Sequence, residues 1–169
     1  DGEGTVITTE TCFLNRNRNP GLSKREVEAE LCRALGAEKV IWIPGDPTDP
    51  ETDGHVDGIA AFIEPGRLLV EINRDRGDPH HPICERNRKA LTRVRDARGR
   101  VIELEFIQEG SYRPERWNGG CSSYVNSYLA NGAVIVPGYG YDQDAEAVET
   151  YARLYPDREI VQVPIPNLS

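Results

Sequence analysis

The sequence predicts an α/β fold built from a recurring strand–strand–helix–strand unit. Short β-branched or alternating segments are interleaved with segments of helical periodicity. This order occurs twice in full, after a first copy that lacks its opening strand. The unit spans roughly 65 to 70 residues, which is longer than the common solenoid repeats. Such units often pack around an axis as propeller blades do, and three of them do not close a ring. We therefore expect a single partial α/β-propeller domain over residues 1–169.

The first copy is predicted to contain a strand, a helix and a second strand. Residues 5–9 are β-branched throughout, which favours a strand. Ser23 and Glu26 have the spacing of a capping box, and they open a helix that Gly36 ends. Residues 40–43 form a short apolar segment that is typical of a buried strand.

The second copy begins with the apolar run at residues 59–63, which continues a strand that starts at the preceding polar segment. The Pro-Gly pair at residues 65–66 predicts a turn into a strand at residues 67–72. A helix is expected over residues 83–94. Residues 101–106 alternate between apolar and polar side chains, which indicates a half-buried strand.

The third copy repeats this order. Residues 123–129 are predicted to be a strand, and the Asn-Gly pair at residues 131–132 is a strong hairpin signal that leads into residues 133–136. Residues 142–154 have helical periodicity, and residues 159–163 form the last predicted strand.

Composition limits the class of function. The net charge is −8, which disfavours nucleic acid and anionic membranes and suits a cationic ligand. No segment approaches the ~20 apolar residues of a membrane span. The four cysteines are widely spaced and form no CxxC pair, which argues against a zinc ribbon or a disulfide scaffold. We expect reduced thiols in a cytoplasmic protein.

The most informative motif is Thr52-Asp53-Gly54-His55-Val56-Asp57. On an extended strand, side chains two residues apart point to the same face, so His55 and Asp57 are expected to project together. An imidazole beside a fixed carboxylate can transfer protons next to a bound cation. The alternative is a surface loop that contains these residues by chance.

Other candidate sites are weaker. His80 and His81, with Asp75 and Asp78, suggest a metal site, but adjacent histidines on a regular strand face opposite sides. A solvated turn before a helix is the simpler interpretation, and no metal site is predicted. The arginine-rich residues 86–100 are interleaved with acidic ones, which favours a solvated helix face over a nucleic-acid patch.

Three segments together resemble one family. The Thr- and Asn-rich residues 8–20, the Gly-His-x-Asp block at residues 52–57 and the Ser-Tyr-Val-Asn block at residues 123–132 are similar, in order and spacing, to blocks of the agmatine deiminases. These belong to the bacterial peptidylarginine-deiminase-like proteins. The resemblance covers essentially the whole chain. It implies the pentein fold, a five-bladed α/β propeller, of which this chain would supply about three ββαβ-like blades.

The resemblance also implies a reaction. The family hydrolyses guanidinium groups without metal or cofactor, and agmatine becomes N-carbamoylputrescine and ammonia, a step toward polyamines. His55 would be the general acid and base, and Asp57 would hold the guanidinium through paired N–H···O bonds. Asn126 would line the pocket. Asp53 would contribute to substrate binding or only shape the turn.

Two parts of the family pattern are absent. The nucleophilic cysteine of the family lies in a Gly-rich His-Cys block that would begin near residues 164–169, and a second guanidinium-binding carboxylate belongs before residue 1. We therefore expect this chain alone to be inactive, and we expect its partners to be an agmatine-like guanidine and the remaining part of the same propeller. Cys121, which follows two glycines, is a weak alternative nucleophile. Two alternative functions remain: a non-catalytic guanidinium- or polyamine-binding or scaffold module, and a relative of the peptidylarginine deiminases or amidinotransferases.

Overall fold

The computed structural model describes residues 1–110 and 122–165. Within them, the strands form three sheets. The strands are β1 Thr5–Thr9, β2 Lys39–Ile43, β3 Ala60–Glu64, β4 Arg67–Ile72, β5 Glu103–Gln108, β6 Tyr128–Ala130, β7 Ala133–Gly138 and β8 Glu159–Pro164. The helices are α1 Glu10–Phe13, α2 Lys24–Leu35, α3 His81–Ala90 and α4 Asp144–Leu154, and a 3₁₀ helix spans Val56–Gly58. The described residues contain no helix that is long and apolar enough to cross a membrane.

The three sheets repeat one topology. In the second and third sheets an antiparallel hairpin, β3–β4 or β6–β7, is followed by a helix and a parallel strand, β5 or β8. The first sheet contains only the parallel pair β1–β2, joined through α2. The recurring strand–strand–helix–strand unit and the incomplete first copy are therefore confirmed among the described residues.

Strand β4 lies between two apolar cores. Leu69 packs with Tyr124, Val134 and Tyr151 of the third unit. Its neighbours on the opposite face, Leu68 and Val70, belong to a second core with residues of the first and second units. Because side chains alternate along a strand, β4 is buried on both faces and connects neighbouring units.

Local sequence signals explain how α2 is bounded. The Ser23 Oγ atom accepts a hydrogen bond from the Glu26 backbone N–H (3.4 Å), and the Ser23 N–H donates to the Glu26 carboxylate (2.8 Å), so the capping box is confirmed. Gly36 ends the helix in the left-handed conformation, with φ 64°. The Asn-Gly hairpin at residues 131–132 is also confirmed, since it joins β6 to β7.

Two strand predictions were wrong. Residues 55–57 are not extended: His55 precedes the 3₁₀ helix, and the strand starts only at Ala60. Residues 123–127 are not a strand either, because Tyr124 and Val125 lie in a buried turn and only Tyr128–Ala130 pairs with β7. Residues 124–125 are therefore buried in a turn rather than in a sheet, whereas His55 and Asp57 remain partly exposed.

The ends of helix α3 and strand β5 also differ from those predicted. Helix α3 starts at His81, two residues earlier than predicted, because Pro82 is compatible with the first helical turn, and it ends at Ala90. Strand β5 starts two residues later than predicted and extends to Gln108.

Candidate functional site

The loop between β2 and the 3₁₀ helix positions the predicted motif. Asp53 and Gly54 both have left-handed backbone conformations, with φ 61° and 76°. A Cβ atom on Gly54 would lie 2.5 Å from the Asp46 carbonyl oxygen, so only glycine fits there. The Asp49 carboxylate accepts hydrogen bonds from the Gly54 N–H (2.9 Å) and the Thr52 N–H (3.2 Å). This turn sets the direction in which His55 leaves the loop.

Asp49 is ionised by these contacts. Burial alone would raise its pKa, but the hydrogen bonds from Thr52, Glu51 and Gly54 hold the pKa of the Asp49 carboxyl below its usual value. The carboxylate therefore stays charged across the neutral range and fixes the turn.

His55 and Asp57 lie side by side although they are not on a strand. The His55 Nδ1 atom is 3.6 Å from Asp57 Oδ1, and the side chains are 42% and 54% exposed. The other Asp57 oxygen, Oδ2, accepts a hydrogen bond from the Asn126 amide at 3.4 Å. The second and third sequence blocks thus meet at one carboxylate. An accessible carboxylate flanked by an imidazole and an amide is suited to binding a planar cation and moving a proton beside it.

The first block joins the same site through Arg18. Its Nε atom lies 3.3 Å from the Asp53 carboxylate, and its Nη2 atom donates to the Thr52 carbonyl oxygen at 2.9 Å. Asp53 is therefore already paired with a cation, and its main geometric role is in the turn. This contact has no local signal in the sequence, because Arg18 and Asp53 lie far apart in the chain.

Cys12 lies close to the site but does not have the properties of a nucleophile. It is buried at the end of β1, within α1. Burial raises the pKa of its thiol, and the negative charges of Asp53 and Asp57 add to this effect while Arg18 opposes it. The thiol therefore remains protonated at neutral pH. Cys121 lies outside the described residues.

A second polar cluster lies beneath the same loop, and the sequence analysis missed its composition. The His80 ring contacts the Glu109 carboxylate through Nδ1 (2.5 Å) and the Asp46 carboxylate through Nε2 (3.2 Å). The Cys84 Sγ atom lies 3.5 Å from His80 Nδ1. The buried Glu71 carboxyl interacts electrostatically with Glu109, His80 and Asp46. We call His80, Cys84, Glu109, Asp46 and Glu71 the buried cluster.

The pKa values in the buried cluster are strongly shifted. Burial alone would lower the pKa of His80, but hydrogen bonds to Asp46, Cys84 and Glu109 raise it above its ordinary value. Burial raises the pKa of Cys84 to about 11. Burial and the charge of Glu109 raise the pKa of Glu71 well above that of a free carboxyl.

The four residues that the sequence suggested as a metal site do not converge on one point. His81 Nδ1 contacts the Asn73 carbonyl oxygen (2.6 Å), so the two adjacent histidines have different partners. The Asp78 carboxylate accepts a hydrogen bond from the His80 backbone N–H (2.7 Å), but neither Asp75 nor Asp78 joins the His80 ring in the cluster of possible ligand atoms. Only the spacing of four residues between His80 and Cys84 was a readable signal, because Glu109 arrives from a distant strand.

The arginine-rich segment is largely ion-paired. Arg88 forms two hydrogen bonds with Glu85, each 2.8 Å long, and Arg100 contacts Asp96 at 2.6 Å and Glu3 at 2.6 Å. Pairs of this kind are typical of a solvated acidic and basic surface.

The whole chain matches a family of known proteins. Residues 1–169 match the model of the Porphyromonas-type peptidyl-arginine deiminases. The agmatine deiminase of Ectopseudomonas mendocina is 37% identical over 182 residues, which cover 97% of this chain and 50% of that protein. The agmatine deiminase of Pseudomonas putida is 38% identical with the same coverage.

Solved structures agree with the sequence matches. The agmatine deiminase of Enterococcus faecalis superposes with a TM-score of 0.89 at 35% identity and covers 97% of this chain and 50% of its own. A cysteine-to-serine variant of the C. jejuni agmatine deiminase with substrate bound gives a TM-score of 0.84 at 28% identity, covering 96% of this chain and 47% of its own. The chain thus spans about half the length of these relatives. Its sequence and its fold both place it in this group, and the chain belongs to the Porphyromonas-type peptidyl-arginine deiminase family.

Proposed function

We propose that this chain supplies the acid–base residue and one guanidinium-binding carboxylate of an agmatine deiminase. The observation that carries the proposal is the Asp57 carboxylate, which lies between the His55 imidazole (3.6 Å) and the Asn126 amide (3.4 Å) and is open to solvent. The agmatine deiminase names of the relatives and the substrate-bound C. jejuni structure support agmatine as the guanidine.

The chemistry follows from these three side chains. A carboxylate can accept two parallel N–H···O bonds from a planar guanidinium, which fixes the cation in one plane. The Asn126 amide holds one Asp57 oxygen and limits rotation of the carboxylate. His55, next to the bound cation, then donates a proton to the departing ammonia and afterwards accepts one from the attacking water.

Asp53 has a supporting role in this proposal. Its ion pair with Arg18 offsets its charge, and its left-handed backbone turns the loop toward His55. Asn126 has the more direct role, because it contacts the carboxylate that would hold the substrate.

The covalent step requires a thiolate from outside the described residues. Cys12 and Cys84 are buried and their pKa values are raised, and Cys32 lies on α2, away from the site loop. We therefore propose that the chain is inactive by itself and that the remainder of a five-bladed propeller completes the site. The three cysteines within the described residues are free thiols, which suits the reducing cytoplasm that we propose as its compartment.

An exposed apolar face supports a further part of the propeller, either in the same polypeptide or in a separate chain. Tyr128, Ile135 and Val161 form one row across the third sheet, and all three are exposed, as is Val163 on the same strand. Such a row on a sheet usually packs against another element. In a propeller with three of its five units present, this face is where the next unit would pack.

The test compares this chain with the protein encoded by the complete gene. Ammonia release from agmatine is expected only from the complete protein, and the isolated chain should release none. Ammonia from the isolated chain would overturn the argument that the nucleophile lies elsewhere, and Cys121→Ser would then be the next variant. A complete protein that hydrolyses no guanidine would contradict the proposed function itself.

A second candidate function is a guanidinium- or polyamine-binding module without catalysis. The accessible Asp57 and the lack of an ionised thiol among the described residues favour it. Calorimetric titration of the complete protein with agmatine separates the two functions, because a binding module gives heat of binding without ammonia. An amidinotransferase would instead pass the amidino group to an added amine.

A further inference from the structure

The buried cluster contains a set of side chains that match a transition-metal ion. His80 Nδ1, Cys84 Sγ and a Glu109 carboxylate oxygen all lie within 4.8 Å of one another. His80 caps α3 and Cys84 lies one turn later, so both project from the same face of the helix. Glu109 follows β5, the strand paired with β4. We propose that His80, Cys84 and Glu109 bind one divalent transition-metal ion, for which Zn²⁺ is the best fit.

The distances between the ligand atoms support this proposal. Tetrahedral zinc, with Zn–S near 2.3 Å and Zn–N and Zn–O near 2.1 Å, separates its ligand atoms by about 3.4 to 3.6 Å. Here the Sγ–Nδ1 distance is 3.5 Å and the Sγ–Oε2 distance is 3.7 Å. Only the Nδ1–Oε2 distance, 2.5 Å, must open, because a hydrogen bond now joins the two atoms. Binding replaces that shared proton and the thiol proton with the metal, so two protons are released.

The surrounding contacts are those of a metal-binding histidine. A ligating imidazole usually donates its second ring N–H to a carboxylate, which fixes the ring. His80 Nε2 has this partner in Asp46 Oδ2, at 3.2 Å. The Glu109 carboxylate is held in turn by the Asn73 side-chain amide. The contacts that orient the His80 ring and the Glu109 carboxylate are therefore already in place without a metal ion.

An unsatisfied carboxylate oxygen supplies independent evidence for a cation. Glu71 is 4% exposed, and its Oε2 atom has no hydrogen-bond partner among the described residues. Ser123 hydrogen-bonds the carboxyl, which interacts electrostatically with Glu109, His80 and Asp46. An orphaned buried acceptor is costly unless an ion or water satisfies it. Because Glu71 is not among the three residues whose ligand atoms lie within 4.8 Å of one another, we assign it no ligand role, and a water molecule would complete the tetrahedron.

The ligand types favour zinc over harder cations. Calcium and magnesium are bound by oxygen atoms in numbers that this cluster does not offer, whereas a thiolate and an imidazole suit zinc. The sequence analysis predicted no metal, because it combined His80 with His81 rather than with Cys84 and Glu109. A nucleophilic role for Cys84 is not favoured, since its thiol is 4% exposed.

The proposed ion would stabilise the loop that carries His55. Asp46 belongs to this loop, next to Gly45, whose N–H donates to the Asn87 side chain on α3 (2.8 Å). Gly54 packs against the Asp46 backbone. A metal that fixes His80 would therefore hold Asp46 and, through it, the turn before His55.

The test is metal retention by the purified chain. The chain is stripped with a chelator, loaded with Zn²⁺ and passed over a desalting column. We expect about one equivalent of zinc to remain, and Cys84→Ser and His80→Gln to lose it. Cys32→Ser is the matched control, because it makes the same change in a half-buried thiol on α2 and should retain the ion. Asp46→Asn should weaken binding by ~10–100-fold, as expected for a carboxylate that orients a metal-binding histidine.

X-ray absorption of the zinc-loaded wild-type chain needs no variant. It should show one sulfur neighbour together with nitrogen and oxygen neighbours. No retained zinc, zinc with only nitrogen and oxygen neighbours, or equal retention by Cys84→Ser and Cys32→Ser would each overturn the proposal. None of these results depends on agmatine turnover, so the proposed function is tested separately.

Discussion

Two histidine–carboxylate groups lie on either side of one loop, and they differ mainly in burial. His55 and Asp57 are about half exposed and make one further contact, to Asn126. His80 contacts two carboxylates and a thiol in a site where Glu71 and Cys84 are almost inaccessible. An exposed pair can exchange its partners with a substrate, whereas a buried group must find permanent ones. The same residue types therefore serve different purposes.

The largest expected effect is on turnover by the complete protein. His55→Gln should lower kcat for agmatine by ~10²–10⁴-fold, because it removes the group that transfers protons. His81→Gln is the matched control: its side chain contacts only the Asn73 carbonyl oxygen among the contacts described, and kcat should change little. Steady-state ammonia release measures both. Equal losses in the two variants would contradict the assignment of His55.

For the free energy of unfolding, the larger effect is expected at His80 rather than at His55. His80→Gln should lower the free energy of unfolding by about 3 kcal/mol, because the Asp46 and Glu109 carboxylates lose their shared partner in a partly buried site. His55→Gln should change it by less than about 0.5 kcal/mol, as for other exposed positions. Urea denaturation of the isolated chain gives both values. Similar losses would show that burial does not separate the two groups.

The loop between the two groups should tolerate little change at Gly54. Gly54→Ala is expected to cost about 2–3 kcal/mol, because the new methyl group meets the Asp46 backbone and the residue must keep a positive φ. Gly132→Ala has the same kind of backbone strain, with φ 79°, but no atom within 4 Å of the added carbon, so about 1 kcal/mol is expected. Thermal unfolding of both variants measures the difference.

The smallest expected effect is the pH dependence of the stability that Asp49 contributes in the loop before His55. The folded-state pKa of Asp49 is below its unfolded value, so its hydrogen bonds contribute stability above that unfolded value, near pH 4. This contribution is lost as the pH falls through the folded pKa. Wild-type chain should therefore lose on the order of 1 kcal/mol more than Asp49→Asn between pH 5 and pH 3. Parallel stability curves for the two proteins would contradict this.

Local signals predicted most of the fold. The β-branched run of β1, the capping box at Ser23 and the hairpin at Gly132 depend on neighbouring residues, and each appears where expected. Tyr124 shows the limit of this reasoning. It was predicted to lie in a strand over residues 123–129, but it lies in a turn, and its burial comes from contact with Leu69 and Tyr151 of distant elements.

The proximity of the candidate site residues was predicted, but their backbone conformation was not. His55, Asp57 and Asn126 do meet, yet the turn at Asp53 and the 3₁₀ helix place them, and not a shared strand face. The contacts of Arg18 with Asp53 and of His80 with Glu109 join residues far apart in the chain. Such long-range contacts leave no periodic trace in a single sequence, which is why the buried cluster was missed.

The position of strand β4 between two apolar cores limits how this polypeptide can be divided. Because β4 contributes to both cores, removing the third unit would expose Leu69 and Ile107 to solvent. Removing the first unit would expose Leu68 and Val70. Neither truncation leaves a fragment with a closed interior, so melting of the three sheets should be cooperative. Any attempt to map the minimal foldable piece should therefore keep all three sheets and trim only residues outside them.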